Sequence, residues 1–140
     1  VAKVAWVQRF APRPACDLRL VCFHHAGVGA AVYRPWAVDL PPDVEVCAIE
    51  LPGRGSRLRE APLDSVARIV SELIPHLQAE VDRPFAFFGH SMGAVLAYET
   101  AVALSAAGGP VPQHLFVSGR RPPHVPDPLP PSVASVMPTS

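Results

Sequence analysis

Gly89, His90, Ser91, Met92 and Gly93 spell G-x-S-x-G between an apolar run at 85–88 and an alanine-rich stretch with helical spacing at 94–107. The order is strand, sharp turn, helix, with a serine at the apex. A serine there is driven into a strained backbone conformation, its hydroxyl standing above a sheet and the amides of the next helix's N-terminus beneath it. Ser91 is therefore the candidate nucleophile. Glycines at 89 and 93 fit the same turn, because a side chain at either would collide with the neighbouring strand or helix where the chain doubles back.

Strand and helix signals alternate on both sides of this turn. Leu18–Phe23 is a β-rich run ending at His24, His25, Ala26 and Gly27, where small residues let the chain bend into a loop. Residues 30–40 form a modest helix signal containing Pro35, either near its first turn or interrupting it, and Pro41 and Pro42 stop it. A strand is predicted over 44–50 and a turn-rich loop over 51–57. A helix is predicted over 63–81, with Leu63, Val66, Ile69, Val70, Leu73 and Leu77 at helical intervals. Asp64 or Ser65 would cap it, and Pro75 predicts a kink or a second short helix. After the 95–107 helix, Gly108, Gly109 and Pro110 make a stop, and 114–117 reads as a last strand. Such alternation implies right-handed crossovers and a parallel sheet covered by helices on both faces, the α/β class. Six prolines fall between Pro122 and Pro131, so residues 1–125 read as the domain and 126–140 as an extended or disordered tail.

Composition narrows the function classes. At 140 residues with 49% hydrophobic content, the chain suits one globular domain or part of one. The formal charge is zero and the basic residues are scattered, apart from Arg54, Arg57 and Arg59 and the pair Arg120 and Arg121, so no nucleic-acid footprint stands out. Cys16, Cys22 and Cys47 make neither a C-x-x-C pair nor a zinc spacing, and buried reduced thiols are expected. No apolar run reaches the roughly 18 residues of a membrane span, and no signal-peptide pattern opens the chain. A cytoplasmic protein is the expectation.

A serine hydroxyl needs a base, usually a histidine held by a carboxylate, and donors for the developing oxyanion. One donor should be the backbone N–H of Met92. The other should come from the loop after the 18–23 strand, assigned here to Ala26. The base is harder to find. The usual order is Ser, acid, His, and after Ser91 the chain offers Glu99 on the turn's own helix, His114 at the opening of a strand, and His124 and Asp127 in the wrong order in a proline-rich loop. None makes a triad; His25 and His90 invite a base role, but His90, fixed within the turn, reads as a packing or bracing residue.

The residues Trp6 to Phe10 with Pro12-Arg13-Pro14, Leu20 to Gly27, Tyr33-Arg34-Pro35-Trp36, Leu51 to Arg57, Gly89 to Ala94 and Ser118 to Arg121 together resemble the type II thioesterases. These are stand-alone α/β-hydrolases that accompany nonribosomal peptide and polyketide synthases. The likeness runs from residue 6 to about 125. It implies hydrolysis of thioesters on the phosphopantetheine arm of acyl or peptidyl carrier proteins. Ser91 would form the acyl-enzyme, the Met92 and Ala26 amides would bind the oxyanion, and no metal or organic cofactor would be needed. Two departures stand out. His24-His25-Ala26-Gly27-Val28 replaces the family's Pro-His-Ala-Gly-Gly, and Val28 takes positive φ less readily than glycine. The family is also longer, its lid helices and the strands bearing the triad Asp and His lying beyond the point this chain reaches, so the chain alone is expected to be weakly active or inactive. Two other readings are a non-catalytic remnant that binds carrier proteins through Arg54, Arg57 and Arg59, whose bland alternative is a solvated loop, and a general carboxylesterase.

Overall fold

The computed structural model describes residues 6–25, 27–57, 59–63 and 65–119. Along the chain run β1 (Val7–Gln8), β2 (Leu18–Phe23), a 3-10 turn (Ala30–Tyr33), α1 (Arg34–Asp39), β3 (Val44–Ile49), a second 3-10 turn (Gly55–Arg57), α2 (Val66–Glu80), β4 (Phe85–His90), α3 (Met92–Ala106) and β5 (Leu115–Ser118). The strands form one sheet in the order β1-β3-β2-β4-β5. Pairings of β2 with β3, β2 with β4 and β4 with β5 are parallel. To the expected parallel sheet β1 adds an antiparallel edge, pairing with β3, Val7 opposite Ile49. A two-residue strand carries no periodicity for a sequence reading to detect.

Alternation along the strands gives the sheet two apolar faces, and both are used. Val21, Phe23, Cys47, Ile49, Phe85, Phe87, Leu115 and Val117 pack with Ile69, Leu73 and Leu77 of α2 and Leu96, Ala97 and Leu104 of α3. Cys22, Val46 and Ala48 look the other way, onto Ala30, Tyr33 and Ala37. All three cysteines are buried and unpaired.

Local chemistry sets the element ends. Pro35 falls in the first turn of α1, where its missing N–H has no intrahelical partner to lose, so the expected helix is realised as a 3-10 turn leading into α1. Ser65 caps α2, its Oγ accepting from the Arg68 N–H at 3.1 Å, while Asp64 lies outside the described residues. The break expected at Pro75 does not occur, and α2 is a single helix through it. Pro75 lies on the exposed side of α2, as does Ser71, whose carbonyl it deprives of its helical partner, while Leu73 and Leu77 hold the buried side. Among the described residues no helix is long and apolar enough to cross a membrane. The tail assigned to 126–140 lies outside the described residues.

At the end of the sheet where β2 and β3 begin, a buried ion cluster ties the N-terminal segment to α2. Glu45 accepts from Arg9 Nε at 3.0 Å, Arg19 Nε at 2.9 Å and the Arg13 amide at 2.7 Å, and Arg9 also reaches Glu80 at 2.7 Å. Burial pushes the Glu45 carboxyl up, but the Arg13 amide and the two guanidiniums outweigh it and hold the group below the usual carboxylate range.

Candidate active site

The opposite end of the sheet carries the candidate site. From β2 the chain crosses to β3 on one side, while β4 and β5 are added on the other, so the strand order reverses between β2 and β4. Crevices at such reversals, beyond the strands' carboxyl ends, are where open α/β sheets bind ligands. Phe23 at the end of β2 pairs with Gly89 of β4, which sets the loop after β2 beside the turn after β4.

Ser91 occupies that turn with φ 56° and ψ −116°, and among the described residues it is the only non-glycine residue with positive φ. Val28 therefore escapes the left-handed region that its replacement of glycine put in question. α3 begins at Met92, three residues before the expected 95–107 helix, so the Met92 amide lies in the unsatisfied first turn of a 15-residue helix. The flanking glycines are steric requirements. A Cβ at 89 would enter the backbone of Gly93, and one at 93 would run into the Phe23 carbonyl oxygen. Ser91 is further held by its own amide, which donates to the Ser118 carbonyl at 2.9 Å.

His90 braces this arrangement, its Nδ1 lying 2.8 Å from Ser118 Oγ and its ring edge-to-face with His25 at 5.3 Å. Two residues that sequence reasoning left without a role enter here. Ser118 anchors both His90 and Ser91, and a Cβ on Gly119, at φ 104°, would lie 2.8 Å from the Ser91 nitrogen. Ala26, the other proposed oxyanion donor, lies outside the described residues. Of the weak triad candidates, Glu99 is on α3 and His114 is exposed at the start of β5, the far end of the sheet from Ser91; His124 and Asp127 lie outside the described residues. Among the described residues no group of three His, Cys, Asp or Glu side chains gathers as metal ligands.

The loop after β2 is fastened by His24, which is 1% exposed. Its Nδ1 lies 3.0 Å from the His25 carbonyl, and Nε2 faces the Leu51 N–H at 3.4 Å. A neutral ring protonated on Nδ1 satisfies both contacts. Burial pushes the imidazole below its ordinary 6.5, outweighing the His25 carbonyl and the Glu50 carboxylate. Because the folded value is depressed, the unfolded chain takes up this proton first as pH falls. The contribution is complete above about 6.5 and drains away as pH drops toward the folded value. Urea midpoints between pH 7 and 5 should fall more steeply for the wild type than for His24→Gln; equal slopes would refute the assignment.

The basic loop is only partly available to a partner. Arg57 is buried, bonded to Glu60 at 2.7 Å and to the Glu50 carbonyl at 3.0 Å, with its guanidinium 4.2 Å over the Trp6 ring. It holds the fold together and cannot meet an acidic surface, which corrects its place in the proposed docking trio. Arg54 and Arg59 are exposed.

The family description "thioesterase domain" matches residues 18–129. The chain belongs to the thioesterase domain family. This thioesterase chain is 43% identical over 112 residues to the gramicidin S biosynthesis protein GrsT of Aneurinibacillus migulanus, covering 80% of this chain and 44% of that protein. It is 39% identical over 112 residues to the medium-chain S-acyl fatty acid synthase thioesterase of Homo sapiens, covering 79% of this chain and 42% of that protein. Among solved structures, the type II thioesterase BorB from the borrelidin biosynthetic cluster superposes with a TM-score of 0.76 at 38% identity, over 84% of this chain and 47% of that one. The architecture is accordingly that of an α/β-hydrolase, and the relatives include type II thioesterases of peptide and polyketide biosynthesis, as the six motifs implied, beside a fatty acid synthase thioesterase. The thioesterase chain spans a little under half the length of the relatives it matches.

Proposed function

We propose that this chain carries the nucleophile and oxyanion loop of a type II thioesterase that releases acyl groups from the phosphopantetheine arm of acyl or peptidyl carrier proteins in nonribosomal peptide or polyketide synthesis. The observation that carries the reading is Ser91, at φ 56° between two sterically required glycines and at the N-terminus of α3. The names of the relatives, a gramicidin S biosynthesis protein and a type II thioesterase of the borrelidin cluster, support it.

In the proposed reaction Ser91 Oγ adds to the thioester carbonyl carbon, and the π pair moves onto oxygen, where the Met92 and Ala26 N–H groups donate to it. Collapse expels the pantetheine thiolate and leaves an acyl ester on Ser91. Water adds to that ester by the same route and releases the acid and the free serine. A histidine oriented by a carboxylate takes the serine proton and later activates the water. No described residue fills that role, so the 140 residues alone are expected to turn over slowly. Exposed Arg54 and Arg59 offer positive charge to an acidic carrier, and the cytoplasm, with its reduced thiols, is the proposed compartment.

The test joins residues 1–119 to the complementary C-terminal part of GrsT and supplies acetyl-loaded carrier protein or the matching oxygen ester. The chimera should release acid preferentially from the carrier thioester, with the 140-residue chain slower by about 10³-fold or more. A folded chimera that leaves the loaded carrier intact would sink the reading, and a preference for the oxygen ester would favour a carboxylesterase.

A further inference from the structure

Glu50 is 2% exposed at the exit of β3, and no guanidinium or ammonium is bonded to its carboxylate among the described residues. Four neutral donors converge on it instead. Oε1 accepts from the Ala30 N–H at 2.8 Å, and Oε2 accepts from Gln8 Nε2 at 3.1 Å, the Ser56 N–H at 3.0 Å and Ser56 Oγ at 3.1 Å. An acceptor-only side chain suits four donors, whereas a glutamine would turn its own N–H groups against some of them. Two glycines make room for it. A Cβ on Gly29 would lie 2.6 Å from Oε1, and one on Gly55 would run into the same carboxylate.

These contacts gain meaning from where they fall. The loop between β2 and the first 3-10 turn is the one that bears Ala26. Its near end is fixed by His24 against the Leu51 N–H, and its far end by the Ala30 N–H against Glu50. Both ends are thus fastened to consecutive residues, Glu50 and Leu51, at the exit of one strand. The backbone of Glu50 is held in turn, its N–H donating to the Trp6 carbonyl at 2.9 Å and its carbonyl accepting from Arg57 at 3.0 Å.

We propose that Glu50 is a positioning residue for catalysis: its carboxylate clamps the far end of the loop after β2 to β3 and so holds that loop beside the turn that bears Ser91. The inference rests on the thioesterase reading above for its consequence, while the clamp itself is tested independently of hydrolysis.

Amide hydrogen exchange on the 140-residue chain compares the wild type with Glu50→Gln and with Gly29→Ala. The second variant keeps the carboxylate but crowds it with a methyl group at an ordinary φ of −128°. The Ala30 and Ser56 amides and those of residues 27–29 should exchange about tenfold faster or more, with Leu96 and Ala97 of α3 unchanged. Uniform acceleration would make Glu50 a general stability residue and overturn the proposal, as would no change. If Glu50→Gln does not fold, Gly29→Ala decides; if neither folds, Glu50 is a core group and the proposal falls. In the GrsT chimera, Glu50→Gln should lower kcat at least tenfold with KM within twofold, because the loss is confined to oxyanion stabilisation. An inactive parent chimera would count against the thioesterase reading and leave the exchange result standing, whereas an active chimera indifferent to Glu50→Gln would overturn the role of Glu50.

Discussion

Replacing Ser91 with alanine in the GrsT chimera is expected to cut acyl release by about 10³- to 10⁶-fold and to abolish any acyl adduct visible by mass spectrometry. The reasoning is geometric. Ser91 is at the apex of a turn whose backbone is strained in a way that only a fixed surround sustains, and in α/β enzymes that strain is spent on presenting an oxygen above the sheet. Loss of the adduct together with retained binding of the carrier would place the serine in the covalent step. Undiminished turnover by the alanine variant would remove Ser91 from the mechanism and with it the proposed function.

The second large effect is on stability. Gly93→Ala should destabilise the chain by about 3 kcal/mol or more in urea unfolding, because the added Cβ meets the Phe23 carbonyl oxygen, which is backbone at the centre of the sheet and cannot swing aside. Gly108→Ala is the matched control. At φ 72° it is strained but has no atom within 4 Å of the new carbon, so a loss of about 1–2 kcal/mol is expected. If both variants fell by the same amount, the helix-to-strand approach at the turn around Ser91 would be looser than its geometry implies. The same contact explains why α3 starts at Met92. The helix must come down onto β2 within one turn of the serine, and only a glycine lets it do so.

The strands and helices whose residues alternate or repeat over six or more positions were legible in the sequence. β2 fell at Leu18–Phe23 as read, and the turn around Ser91 was recognisable because its glycines are adjacent in the chain to the residue they serve. Features built by residues remote in sequence were not. β1 is two residues long and exists only because β3 offers an edge; Pro75 is accommodated where α2 turns its exposed side outward. Arg57 reads as one of three loop arginines, and only the fold reveals Trp6 beneath it. Glu50 gave one faint signal, a charged residue closing an apolar strand run just before a glycine-rich loop, but its partners at positions 8, 30 and 56 converge only in three dimensions.

The buried cysteines acquire a different meaning if the substrate is a thioester. Any thiolate on the protein's own surface could intercept an acyl group by exchange and keep it, since the thiolate is the reactive form. Cys22, two residues before the loop that bears Ala26, and Cys47, on the neighbouring strand, are both sealed within the sheet. Burial pushes the Cys47 thiol up to about 12 and the Cys22 thiol higher still. Near neutral pH the Cys47 side chain is therefore held as the un-ionised thiol. On the proposed reading, the sheet that would aim Ser91 at a thioester therefore also silences the sulfur nucleophiles of Cys22 and Cys47.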